Sequence, residues 1–358
     1  MSRSLVAILS TLALIAVAAT GETADPKLKV GVVHLGSVND GGYNQAHADG
    51  IAVMKKNLPE VEVIQVENVA EGADAERVME NMIRQGARLI FAASFGYLEP
   101  ALRVAQKYPE VKFVHPGGYK RLPNLTTYWA STPEAFYLMG MAAGKTTKTN
   151  KIGYVVALPI SFFLANVNAF ELGARAVNPR VETRVVFTGT FLDRGKEATA
   201  ANALLDQGVD VLGVIVDSPI TVVQAAEKRS AYAVGFHSLA AQKFAPKGWI
   251  TGVAFTWGNL YTRFARQVLD GTFKSENILG SLKDDFLTLA PFGPAVPAEA
   301  VSLVNTRKDE FAAGKAHPFQ GPLRDNTGVE RVKAGETFPL TDLAKMNWLV
   351  EGVIGQPR

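Results

Sequence analysis

The chain has 358 residues, 47% of them hydrophobic and 20% charged, enough apolar material for one large core or, by default, two domains. Its net charge of +3 comes from scattered basic residues, which leaves no electrostatic footprint for nucleic acid. There is no cysteine, which excludes disulfides, thiolate metal sites and a cysteine nucleophile, and no lipid anchor on an N-terminal cysteine is expected.

At the N-terminus, Arg3 precedes an apolar run from Leu5 to Ala19, short for a membrane span, and Ala16-Val17-Ala18 fits a small-x-small cleavage site. A secretory leader is therefore expected over residues 1–24, with Thr23-Ala24 as a second place to cut, and a soluble periplasmic product. From Lys29 onward, short β-branched runs alternate with helical stretches. Strands are expected at Lys29–Leu35, Glu62–Glu67, Leu89–Ala93 and Lys112–His115, and helices near Tyr43–Leu58, Ala73–Gln85 and Leu98–Tyr108. The series then recurs. Strands are expected at Lys151–Ala157, Glu182–Thr188, Val211–Val216 and Ala231–Phe236, with helices near Asn166–Val177, Lys196–Gln207 and Ile220–Lys228.

The spacing supports a repeat. Gln85-Gly86 closes a helix before the strand at Leu89, and Gln207-Gly208 does so before Val211; the same shift of 122 residues carries Val30 onto Ile152 and Val114 onto Phe236. The fold class is therefore α/β, with two similar doubly wound, Rossmann-like lobes. Asn124–Trp129, the passage from Trp249–Ala254 to Gly258–Leu269, and Phe286–Ala290 read as crossings that form a stiff hinge. The expected division is residues 27–127 plus 258–282 in lobe I, 128–257 plus 283–328 in lobe II, and a surface-lying extension over 329–358.

Ligands of open α/β sheets bind beyond the carboxyl ends of the strands. Those ends carry Asp40, Tyr43, Asn44, Ser94, Gly96 and Tyr97 in the first lobe, and Phe163, Asn166, Asp217 and His237 in the second. The set is rich in rings: Tyr43, Phe95, Tyr97, Phe162, Phe163, Phe255 and Trp257, with Trp129 from a crossing. Facing rings suit a planar heterocycle, whose polar edge Asp217, Asn44 and Asn166 can read. Several of these residues also have plain structural readings. Asp40 can simply cap the helix that follows, Asp217 can cap the helix after Ser218-Pro219, and rings can wedge the lobes. Asp40 repels anions, so an anion site at this glycine turn is not expected. No HExxH, GxSxG, P-loop or GxGxxG pattern is present, and no cluster has metal-ligand spacing, so neither an enzyme nor a cofactor is expected.

The turn Asp40-Gly41-Gly42-Tyr43-Asn44 after the first strand, with Phe95-Gly96-Tyr97-Leu98, Lys107–Phe113 and Asp206–Val211, resembles the basic membrane protein family. The resemblance covers residues 27–271 and, more loosely, the rest. It implies a type I periplasmic binding protein of an ABC importer, working as a monomer with permease and ATPase subunits, with purine nucleoside receptors as the best-known members. It also implies polar ligand contacts at Asp40 and Asn44 and an aromatic contact at Tyr43. Nucleoside-binding members carry aspartates where this chain has His115-Pro116-Gly117-Gly118 and His237, and a lysine near Phe255 where this chain has none, with Trp257 close by. Those groups suit ribose hydroxyls, so the resemblance points to a free, adenine-like nucleobase as ligand. A nucleoside, another planar heterocycle, a periplasmic hydrolase and a sensor domain remain open alternatives.

Overall fold

The structure, a computed structural model, describes residues 27–357. The expected leader lies outside them. In chain order the first unit runs β1 (Leu28–His34), α1 (Tyr43–Asn57), β2 (Val61–Val66), α2 (Ala73–Arg84), β3 (Ala87–Ala93), α3 (Leu98–Lys107), β4 (Lys112–Pro116) and β5 (Leu125–Ala130). Then come α4 (Pro133–Thr146), β6 (Lys151–Val156), α5 (Ser161–Val177), β7 (Glu182–Phe187), α6 (Arg194–Asp206), β8 (Val211–Ile215), α7 (Ile220–Lys228) and β9 (Tyr232–His237). The chain continues through β10 (Trp249–Phe255), α8 (Gly258–Leu269), β11 (Asn277–Gly280), β12 (Leu287–Leu289) and α9 (Ala298–Ala312). Three short strands close it: β13 (Leu323–Arg324), β14 (Glu330–Val332) and β15 (Val353–Ile354).

The strands form two large sheets. The first is wholly parallel, in the order β11-β5-β4-β3-β1-β2; the second runs β12-β10-β9-β8-β6-β7-β15, with only β12 antiparallel. Strands covered by helices on both faces need no polar alternation, so β1 (LKVGVVH) and β8 (VLGVI) are buried almost throughout. The helices bury one stripe each: α3 turns Leu98, Ala101, Leu102 and Ala105 inward at helical spacing. The internal repeat reaches the level of register. Val30 pairs with Leu89 between β1 and β3, and Ile152 pairs with Val211 between β6 and β8, each partner displaced by the same 122 residues. Three passages join the sheets: from β5 into α4, from β10 into α8, and from β11 into β12.

The end of the chain departs from the surface-lying extension expected of it. Met346, Leu349 and Val350 are buried, and β15 adds an edge to the second sheet beside β7. Asn168 of α5 holds the segment: its Nδ2 donates to the Trp348 carbonyl at 2.9 Å, and its Oδ1 accepts from the Val350 amide at 2.8 Å. Both halves of that side-chain amide are satisfied in the core, where an unpaired one costs about 1–3 kcal/mol. The apolar residues that dock here are too irregularly spaced to read as an element.

Candidate ligand-binding site

The turn after β1 is built by Asp40. Its carboxylate accepts from the backbone amides of Gly42 (2.8 Å), Asn44 (3.0 Å) and Gln45 (3.0 Å), and from Asn44 Nδ2 (2.8 Å). Asn44 is engaged at its other end as well, its Oδ1 accepting from the Gly36 amide at 3.1 Å. Burial nudges the Asp40 carboxyl upward, and these four hydrogen bonds oppose it. Asp40 and Asn44 are therefore consumed in shaping the first turn of α1, and neither lines the cavity described below. A side chain that satisfies helix-terminal amides is worth about 1 kcal/mol.

That turn packs directly on the carboxyl end of β8 in the other lobe. The Tyr43 amide donates to the Asp217 carbonyl at 2.8 Å, and the Ser218 hydroxyl donates to the Asp40 carbonyl at 2.8 Å. Gly42 makes the approach feasible. A Cβ there would stand 2.0 Å from the Asp217 carbonyl oxygen and 2.5 Å from Pro219 Cδ. The lobes thus meet backbone to backbone, and they enclose a cavity between them.

The cavity, of about 50 Å³, is bounded mainly by rings. Of the residues expected at the site, Tyr43, Phe163, Asn166, Asp217 and His237 line it, together with Ser94, Phe95, Gly117, Trp129 and Phe162 from the wider strand-end set. Tyr43 is held edge-on by His47 (centroids 4.6 Å apart) and by His237 (5.3 Å). Asn166 is fixed by Thr132, whose hydroxyl donates to Asn166 Oδ1 at 2.6 Å, and its Nδ2 is left without a partner among the described residues. The Asp217 carboxyl likewise receives no hydrogen bond from any described residue, although Asp217 is buried. Its pKa is driven well above the ordinary value, first by burial and then by the charges of Asp40, Glu197 and Glu71. Burial pushes His237 down to about 3, against a backbone contact with Val216, so this imidazole is neutral and its Nδ1 lacks a partner. His237 ends β9 with a positive φ of 75°, a conformation uncommon for a side-chain-bearing residue.

The remaining expected residues lie elsewhere. Gly96 packs against Glu71, whose carboxylate occupies the place of a Cβ. Tyr97 belongs to the core beneath, its hydroxyl donating to the Val69 carbonyl at 2.6 Å. Trp257 is 1% exposed, stacks on Phe255 with ring centroids 4.7 Å apart, and lines a different groove beside Gly50 and Val53 of α1. Trp129 takes the place expected of it. Leu35, Ile160, Phe191 and Phe236 complete the lining and were not among the candidates. Phe191 lies in the loop after β7, a strand end from which no candidate was drawn.

Chemically, the lining offers stacking surface, one buried carboxyl, one amide donor and a neutral imidazole, with no lysine or arginine. It suits a planar, uncharged molecule with polar atoms on its edge, and it opposes anions.

The chain matches the Bmp family model, described as ABC transporter substrate-binding protein PnrA-like, over residues 27–308. It is 39% identical over 331 residues to a purine-binding protein of Brucella abortus (strain 2308), spanning 92% of this chain and 94% of the relative. It is 29% identical over 324 residues to a putative ABC transporter glucose-binding protein of Haloferax volcanii, spanning 90% of this chain and 80% of that one. Among solved structures, an ABC transporter solute-binding protein from Conexibacter woesei DSM 14684 superposes with a TM-score of 0.66 at 26% identity, covering 81% of this chain and 98% of that one. Among the described residues no helix is long and apolar enough to cross a membrane. The chain belongs to the Bmp family of PnrA-like ABC transporter substrate-binding proteins, which bind solutes rather than transform them.

Proposed function

We propose that this protein captures a purine base, adenine in the first instance, between its two lobes and delivers it to an ABC importer in the periplasm. The observation that carries the reading is the Asp217 carboxyl, buried against rings and left without a protein partner. An unpaired buried polar group is costly, and a ligand edge removes that cost. Burial raises its pKa and so favours the neutral acid, which presents one donor beside one acceptor. Adenine offers the complement, a ring nitrogen that accepts beside an amino group that donates. Guanine's Watson–Crick edge offers two adjacent donors and suits an ionised carboxylate instead. An exposed carboxyl is ionised at neutral pH; burial favours the neutral form. Asn166 Nδ2 is then free to donate to a second ring nitrogen.

The cavity lining carries no lysine and no second carboxyl to meet ribose hydroxyls, which supports a base over a nucleoside. Tyr43, Trp129 and Phe163 supply the stacking faces, at roughly 1–3 kcal/mol per stacked ring, enough for micromolar or tighter binding. The relative from Brucella is named for purine binding. Of four tryptophans, only Trp129 lines the cavity. Adenine is therefore expected to change the emission of the full chain, and Trp129→Phe to remove that change. A signal that survives Trp129→Phe but disappears in Trp257→Phe would place the ligand in the groove beside α1 and contradict the assignment.

A further inference from the structure

Thr132 stands where β5 passes into α4, at the N-cap of α4 and directly before Pro133. A threonine at that position ordinarily turns its hydroxyl back onto the first amides of its own helix. Here the side chain makes no capping bond, and the hydroxyl instead donates to Asn166 Oδ1 of α5 at 2.6 Å. Thr132 is buried and does not line the cavity. The two helices are in backbone contact. A Cβ on Gly140 would stand 2.0 Å from the Phe170 carbonyl oxygen, and one on Gly173 would stand 2.0 Å from that of Tyr137. That packing sets the distance between hydroxyl and amide.

The bond decides how the Asn166 carboxamide is oriented. With Oδ1 turned to Thr132, Nδ2 is left without a partner among the described residues. Asn166 is only 2% exposed, yet its Nδ2 keeps accessible surface, and the residue lines the cavity. Reversing the amide would present Oδ1 to the cavity and make the hydroxyl accept from Nδ2. The hydroxyl proton would then be buried without an acceptor, because Asn166 Oδ1 is the one it meets among the described residues. A ligand in the cavity does not repair that loss, since Thr132 lies outside the lining. An unpaired buried donor is costly, so the reversed amide is disfavoured whatever the cavity holds.

We infer that Thr132 is a positioning residue that sets ligand specificity: its hydroxyl locks Asn166 with the amide donor toward the cavity, so the site requires an unprotonated ring nitrogen at that edge of the ligand. The inference deepens the purine-base reading and rests on it. Adenine keeps such nitrogens after pairing one edge with Asp217. A ring that carries N–H or C–H at that place meets Nδ2 with no acceptor and is rejected.

Calorimetric titration of the full chain with adenine, 1-deazaadenine, 3-deazaadenine and 7-deazaadenine tests it, each analogue replacing one ring nitrogen by C–H. Asn166→Ala identifies the nitrogen that faces Nδ2. One analogue, weaker than adenine by about ten-fold or more on the wild type, is expected to bind that variant within about two-fold of adenine. Thr132→Val, which removes the hydroxyl and keeps the branched shape, is expected to shrink the same ratio to about three-fold or less. Thr132→Ser is expected to keep it at the wild-type level. A merely structural role would weaken adenine and all three analogues alike, so an unchanged ratio in Thr132→Val would overturn the inference while the base reading stands. Loss of the ratio in Thr132→Ser as well would assign the effect to the methyl group and overturn it too. If no analogue responds to Asn166→Ala, the amide donor is unused and the inference falls. Failure of adenine itself to bind would overturn the base reading and the inference together.

Discussion

Asp217→Ala is expected to weaken adenine binding by about 100-fold or more, whereas Asp217→Asn remains within about ten-fold of the wild type. The difference follows from the protonation state. A neutral carboxyl and a carboxamide present the same pair, a carbonyl acceptor beside a donor, and both match the ring-nitrogen and amino edge of adenine. Alanine presents neither and leaves that edge buried and unpaired. The pH dependence supplies the sign. Burial raises the Asp217 pKa, so the neutral, binding-competent form persists to higher pH than in an exposed carboxyl. Affinity for adenine is therefore flat at low pH and falls as pH rises through the folded-state pKa of Asp217; in Asp217→Asn that fall disappears. Titration calorimetry across pH on both proteins measures it. A steady rise in adenine affinity with pH would mean that an ionised carboxylate does the binding.

Gly42→Ala is expected to cost about 100-fold in adenine affinity. Gly42 precedes the first turn of α1 with φ of −140° and ψ of −121°. The conflict is between lobes, where the new methyl would stand 2.0 Å from the Asp217 carbonyl oxygen. Closure would also forfeit the hydrogen bond from the Tyr43 amide to that oxygen. Apparent affinity scales with the population of the closed, competent state, so a variant that closes about one time in a hundred binds about 100-fold more weakly. Small-angle scattering at saturating adenine should report a larger radius for the variant than for the wild type. Equal compaction of the two would contradict the idea that this contact governs closure.

How far the sequence foretold this site can be judged from pairs of residues. The two-lobed scaffold was accessible because a repeat imposes spacing, and the Val30–Leu89 and Ile152–Val211 pairs preserve it. Tyr43, Asn166, Asp217 and His237 were accessible because strand ends in this architecture converge on one place. What spacing does not contain is where a polar side chain spends its hydrogen bonds. Asp40 and Asp217 look alike in sequence, an acid after a strand and before a helix; the Asp40 carboxylate accepts four donors from its own turn, and the Asp217 carboxyl accepts none from the described residues. Tryptophans posed the same difficulty. Tyr128 and Trp129 alternate in β5, so Tyr128 enters the core, where its hydroxyl meets that of Tyr261 at 2.5 Å, while Trp129 faces the ligand space. Trp257 sits at the start of α8, where no such alternation indicates its direction, and packing on Phe255 and Gly50 turns it away. The protonation of Asp217 was further out of reach, since it depends on burial by segments distant in the chain.

The most direct measurement is calorimetric titration of the purified full chain with adenine, guanine, adenosine and glucose under one set of conditions. The structure predicts one adenine per chain at micromolar affinity or tighter, with guanine and adenosine weaker by about ten-fold or more and no heat from glucose. Tight binding of adenosine or glucose with none of adenine would contradict it.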